Sequence, residues 1–303
     1  MKAIWQPVLD NAPWPPRDSP GAVVHRDHMW ILGGFEMLGA NQFGRLNDVW
    51  RSPDGIAWEQ IGKAPWAARN LPGCVVYKDA IWMLGGFDGE SSLSDIWRTD
   101  DGYRWDRVVE RAPWGGRGAF GCAVHRDMIW VFGGVNWENE LALGDIWCSD
   151  NGEHWDLVTE DPGWTERGMF PSLIWQDRIW MFGGGVYHDR GVNYSDVWSS
   201  CDGEHWDQIT SDAGWAARRF HGAILLDSAL WLMGGCTEGS INKNDVWGSA
   251  NGEIWHPSDS PPWGVRHEFG LLGFGDKIWL LGGFSGSLAG LIVYNDVWTM
   301  QSD

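Results

Sequence analysis

Six arginines recur along this chain at steps of 52, 48, 50, 51 and 48 residues: Arg17, Arg69, Arg117, Arg167, Arg218 and Arg266. Each stands three residues after a tryptophan. A planar guanidinium presents several N–H donors in a fixed fork, which suits a carboxylate, sulfate or phosphate. One reading is therefore a cationic collar for an anionic ligand. Six aspartates keep the same rhythm (Asp48, Asp95, Asp145, Asp196, Asp245 and Asp296), so the other reading is Arg–Asp pairing that ties a scaffold together. A guanidinium that holds an aspartate can also offer donors inward.

The residues beside the arginines do not repeat. Directly after them come Asp18, Asn70, Gly118, Gly168, Arg219 and His267, and two residues later Pro20, Pro72, Phe120, Phe170, His221 and Phe269. His267 with Glu268 forms a potential acid/base pair, since a histidine titrates near neutral pH. Tyr187 and His188 are further candidates for moving protons.

These residues need elements to hold them. A Gly-Gly doublet ends a short apolar run at Gly33, Gly85, Gly133, Gly183, Gly234 and Gly282, with a Trp three residues before each. Asp-Val-Trp or Asp-Ile-Trp follows, ending at Trp50, Trp97, Trp147, Trp198, Trp247 and Trp298. Asp-Gly or Asn-Gly then marks a hairpin turn in five copies, because both residue types tolerate positive φ. Segments such as Gly73–Tyr77 and Ile81–Leu84 are short and β-prone, with Lys78-Asp79 as a turn between them, and no stretch keeps a helical period. Each copy reads as four antiparallel strands, and the six copies pack side by side around an axis. The blades are expected near 9–61, 62–109, 110–159, 160–210, 211–257 and 258–303 plus 1–8. Trp5 stands nine residues before Trp14, as the fourth-strand tryptophans of the other copies stand eight or nine before theirs. Residues 3–8 should therefore supply the last blade's missing strand and close the ring. Of the 26 tryptophans, only Trp137 and Trp175 fall outside this pattern.

The motif carried by Trp82, Gly85-Gly86 and Asp95-Ile96-Trp97, six times over, resembles the kelch-type β-propeller family. The resemblance implies an all-β, six-bladed fold in which the loops after the doublets and between the blades open on one face around the axis. It also implies a wide choice of functions, from oxidases, mutarotases and lyases to protein-binding adaptors. The copper–tyrosyl site of the oxidases would need more suitably placed tyrosines than this chain has. The iron site of the nitrile- and thiocyanate-forming proteins needs a Glu, Asp and His series that is absent from the sequence.

On such a face Arg219, His221, His267 and Glu268 would form a polar sector opposite the aromatic Phe120 and Phe170, a lopsided mouth that orients an amphipathic small molecule. Trp137, in a loop where the repeat requires no Trp, is a candidate contact, as is Asn70. The expected ligand-binding set is thus Arg17, Arg69, Asn70, Arg117, Phe120, Trp137, Arg167, Phe170, Arg218, Arg219, His221 and Arg266, with His267, Glu268, His188 and Tyr187 as catalytic candidates. Neither metal nor cofactor is expected: the five cysteines show no Cys-x-x-Cys, and no Gly-rich phosphate loop leads into a helix. A net charge of −19 argues against nucleic acid and against an anionic membrane surface. No apolar segment is long enough to span a bilayer, and the first residues lack a signal-peptide core, so a cytoplasmic setting is expected. The functional expectation is a propeller that binds a small anionic or polar-aromatic molecule in its axial pocket, with metal-independent isomerase or lyase chemistry open to it. The alternative is a scaffold that binds an acidic peptide or partner protein on the same face.

Overall fold

Turn chemistry fixes each blade. Lys78 and Asp79 both have positive φ (47° and 56°), as do Arg26-Asp27, Arg126-Asp127, Gln176-Asp177 and Asp227-Ser228. This is the tight primed turn whose twist matches the flanking strands, so the first two strands of each of these blades form a hairpin. The computed structural model describes residues 2–39, 42–186, 191–287 and 290–302. Among these the chain folds into six four-stranded antiparallel sheets, and the only helical piece is a single short turn at Glu238–Ser240. The first blade is typical, with strands Gly21–His25, His28–Gly39, Gln42–Ser52 and Glu59–Lys63 in that spatial order. The first strands of successive blades contact one another in a closed cycle around the axis. The sixth blade comprises Gly270–Gly273, Ile278–Ser287 and Gly290–Ser302, and its outer strand is Ala3–Leu9 from the start of the chain. Ala3 pairs with Ser302 and Trp5 with Met300, so the ring closes as the sequence leads one to expect. No helix among the described residues is long and apolar enough to cross a membrane.

The third hairpin differs from expectation. Asp54-Gly55 does not form a two-residue turn; the chain leaves the third strand at Ser52 and enters the fourth only at Glu59. Ser52 Oγ accepts the Gly55 N–H at 2.8 Å, and Asp54 Oδ1 accepts those of Ile56 and Ala57, both at 2.8 Å. A side-chain-capped loop thus replaces the tight turn. Its purpose is visible in Trp58, whose Nε1 donates to Gly55 O at 3.0 Å while its ring meets Trp14 edge-on, the centroids 6.0 Å apart. The same pairs recur as Trp66–Trp105, Trp114–Trp155, Trp164–Trp206, Trp215–Trp255 and Trp263–Trp5. Nε1 of Trp14, Trp66, Trp114, Trp164, Trp215 and Trp263 has no conventional acceptor, as N–H donation to the facing ring would allow. Trp5 is not preceded by a capped loop, and its own Nε1 lacks the carbonyl partner its equivalents have.

The repeating arginines sit in the seams between blades. The backbone of Arg17 is held by the sixth blade: its N–H donates to Tyr294 O (3.0 Å) and its carbonyl accepts from Gly283 N–H (2.9 Å). Its side chain is held by the first blade. Nη1 donates to Gly33 O and Asp48 Oδ1, each at 2.8 Å, and Nη2 to Asp48 Oδ2 at 2.7 Å. Trp50 Nε1 donates to the same carboxylate at 2.7 Å. Arg69, Arg117, Arg167, Arg218 and Arg266 pair likewise with Asp95, Asp145, Asp196, Asp245 and Asp296. All six arginines are at most 1% exposed, and none lines an axial cavity. Their place is therefore the blade seam rather than a ligand collar: the guanidinium is sealed from solvent and its donors face its own aspartate and the doublet carbonyl.

Backbone geometry explains the doublet. Gly33 (φ 58°) and Gly34 (φ 116°) lie in the left-handed region, and a Cβ on Gly34 would fall 2.7 Å from Asp18 O. Only glycine combines that backbone with that close approach.

Candidate binding site at the axial mouth

Three tiers of side chains surround the axis. In the upper tier, the residue after each arginine forms a backbone bridge with the residue after a doublet: Asp18 with Phe35, Asn70 with Phe87, Gly118 with Val135, Gly168 with Gly185, Arg219 with Cys236 and His267 with Phe284. These bridges make a rigid wall whose side chains are free to vary.

One residue deeper lies a belt that the sequence reading missed. Ser19, Leu71, Ala119, Met169, Phe220 and Glu268 all have positive φ, from 48° to 61°. Their amides join in a closed circuit: Ser19 donates to Glu268 O (2.6 Å), Leu71 to Ser19 O (3.0 Å), Ala119 to Leu71 O (3.1 Å) and Met169 to Ala119 O (2.7 Å). Phe220 then donates to Met169 O (2.8 Å) and Glu268 to Phe220 O (3.0 Å). The left-handed backbone costs a non-glycine residue about 1–2 kcal/mol, and the circuit offsets that cost by satisfying six amides next to the axis.

The belt divides the expected site residues. Phe120, Phe170 and His221 lie in the third tier and line a separate chamber of about 170 Å³. Phe120 packs on Trp114 (6.0 Å) and Phe170 on Phe132 (5.7 Å), so both serve the core. Burial, with the nearby Arg218 charge, holds the His221 imidazole well below the usual histidine range, against Asp245 and the Phe182 backbone. Asn70, Trp137, Arg219, His267 and Glu268 do come together above it, around a mouth cavity of about 630 Å³. Tyr187 and His188 lie outside the described residues. Among the described residues no three His, Cys, Asp or Glu side chains gather as a metal site would require.

Two arginines face this cavity. Arg45, from the first blade's third strand, lies between Phe35 and Phe87, 5.4 and 5.1 Å from their centroids. Burial lowers its pKa from the ordinary arginine value, against the pull of Asp88 and Asp18, and it remains a cation. Arg219 stands across the mouth beside the Cys236 thiol, which burial raises and keeps neutral. Nε of both arginines is buried without a partner, and among the described residues neither has a carboxylate at ion-pair distance. Asn70 Oδ1 is likewise unpartnered in a side chain that is 8% exposed. Trp137 completes the aromatic side. It lies across Gly118, where a Cβ would come within 2.7 Å of the indole, and against Phe87 at 5.4 Å.

Arg45 is a residue sequence reasoning passed over. Its strand-pairing equivalents are Ser92, Ala142, Asn193 and Val293, so comparing copies at this position would have marked it as the charged exception.

Two carboxyls stand beside the mouth, Asp18 and Glu268. Asp18 is 3% exposed, and Ser19 Oγ donates to its Oδ1 at 2.7 Å. Burial, then the charge of Glu268, holds the Asp18 carboxyl well above the usual carboxylate range, against Ser19 and Arg45. His267 Nε2 lies 3.2 Å from Glu268 Oε2, and the imidazole is packed against Phe220 (5.8 Å) and Phe284 (5.2 Å).

A carboxyl whose folded pKa is raised contributes stability below its unfolded pKa and loses it as pH rises through the folded value. Asp18→Asn is therefore expected to stabilise the protein above neutrality and to make little difference below about pH 4, where the carboxyl is protonated in both the folded and unfolded chain. Urea denaturation across that range checks it; a variant less stable at pH 8 would mean that the charge at Asp18 helps the fold.

A scan against protein-family models finds no match for the chain, and a search of curated proteins also finds none. The functional reading rests on the geometry.

Proposed function

We propose that this protein binds a small anionic molecule with an aromatic or other planar portion in the axial mouth. Two cations that line one cavity, neither with a carboxylate at ion-pair distance among the described residues, carry the reading, because an anionic ligand would supply the close counter-charge they lack. Arg45 and Arg219 would hold the anion, Asn70 would orient it, and Phe87 and Trp137 would take the planar part. A cavity of about 630 Å³ is of a size to enclose such a molecule. The doublets and Asp-Val/Ile-Trp units support a kelch-type propeller as the family, and five free cysteines support a cytoplasmic setting.

Calorimetric titration with phenylacetate, phenylpyruvate, phenyl phosphate and, as a non-aromatic control, acetate tests the reading. We expect the aromatic anions to bind well above acetate, and Arg45→Ala/Arg219→Ala to weaken them by about a hundredfold without lowering the melting temperature, given about 1.5–3 kcal/mol per charged hydrogen bond. Equal affinity in the double variant would refute it.

A second reading draws on the exposed Leu38, Phe43, Leu291 and Ile292 on the neighbouring long hairpins of blades one and six. They would anchor an acidic peptide or partner protein on this face, steered by the same two arginines. Retention of such a partner should fall steeply with salt.

A further inference from the structure

Beside the mouth, a recess of about 240 Å³ is walled by Asp18, Asn70 and Glu268 together with the apolar Phe35, Phe43, Phe284 and Leu291. We propose that this recess is a proton-transfer site, in which Asp18 as acid and Glu268 as base enolise a carbonyl compound whose anionic end is held in the mouth. The proposal rests on the binding reading above and adds the substrate class, an aromatic 2-oxo acid or similar carbonyl-bearing anion.

Three observations carry it. The two carboxyl groups come from adjacent positions across the join of blades one and six, where Ser19 N–H donates to Glu268 O at 2.6 Å. They have unlike surroundings. Asp18 is buried and lies within the field of Glu268, and these favour its protonated form against the opposing Ser19 hydrogen bond. Glu268 has its Oε2 3.2 Å from His267 Nε2. Two neighbouring carboxyls in unlike surroundings can divide the roles of acid and base in one site. Finally, Asn70 opens on both mouth and recess with an unpartnered Oδ1 in a side chain more than nine-tenths buried, a polar group waiting for a ligand.

The step balances without a co-reactant. Glu268 takes a proton from the carbon beside the carbonyl, the C–H pair becomes the C=C bond, and the carbonyl oxygen takes the proton of Asp18. Proton return from Glu268 to Asp18 restores the pair, and the net change is keto to enol. His267 acts through Glu268 as a positioning residue.

The test follows phenylpyruvate in D₂O by proton NMR, reading deuterium entry at the benzylic carbon, with calorimetry on the same samples. Wild-type protein is expected to accelerate exchange at least tenfold over buffer. Asp18→Asn and Glu268→Gln should each remove most of that acceleration, consistent with general acid–base catalysis of order 10²–10⁴, while the dissociation constant changes less than about threefold. Either variant suffices if the other fails to fold. Binding with exchange at the buffer rate overturns proton transfer and leaves the binding reading intact. Binding of the other aromatic anions but not phenylpyruvate overturns the carbonyl class. No binding of any of them overturns the mouth as a ligand site, and this proposal with it.

Discussion

Removing residues 1–9 is expected to open the ring and cost more stability than any single substitution. The strand Ala3–Leu9 is the outer strand of the sixth blade, and its Trp5 is packed edge-on against Trp263, with centroids 5.4 Å apart. Losing that one indole from the core costs about 3–5 kcal/mol. The deletion also strips the partner from Val297–Ser302 and leaves an unpaired edge prone to association. The expected outcome is a large drop in the urea midpoint with concentration-dependent aggregation on gel filtration, partly reversed by adding a peptide of residues 1–9. A truncated protein as stable as the full chain would contradict closure by this strand.

The second large effect lies in the seams. Asp48→Ala should destabilise the protein by about 3–5 kcal/mol, because it strands the buried Arg17 guanidinium and the Trp50 indole N–H together. Asp245→Ala should cost less, since the Asp245 side chain is 38% exposed against 5% for Asp48, and water can reach the arginine left behind. Denaturant midpoints of the two variants decide it. Equal costs would mean that burial does not set the strength of these pairs.

The architecture was legible because one residue type marks each structural need. Tryptophan marks the inter-blade packing, a glycine doublet the left-handed crossing over Asp18 O and its equivalents, and Trp5 the strand that closes the ring. The arginines were legible only as a pair of alternatives: the same spacing suits a collar or a brace, and only their burial assigns them to the seams.

The belt could not be read at all. Leu71 and Phe220 hold positive φ against their own preference, and nothing in residue type links them to Ser19, Ala119, Met169 and Glu268. The closed circuit of amides that holds them exists only once six blades meet. The same belt explains why Phe120, Phe170 and His221, two residues after Gly118, Gly168 and Arg219, end in a different chamber: each chain segment turns through the left-handed residue before entering its strand. Asp54-Gly55 misled for a simpler reason. The dipeptide favours a tight turn, but Ser52 and Trp58 capture the glycine's N–H and carbonyl in a wider one.

On the proposed function, repeated residues brace the molecule and unrepeated residues meet a ligand. A crystal structure of the protein soaked with phenylacetate tests that division most directly. The account predicts the carboxylate against the guanidinium groups of Arg45 and Arg219, with the ring on the Phe87–Trp137 side of the mouth. A molecule bound instead to the six seam arginines, or lodged in the chamber below the belt beside His221, would contradict it.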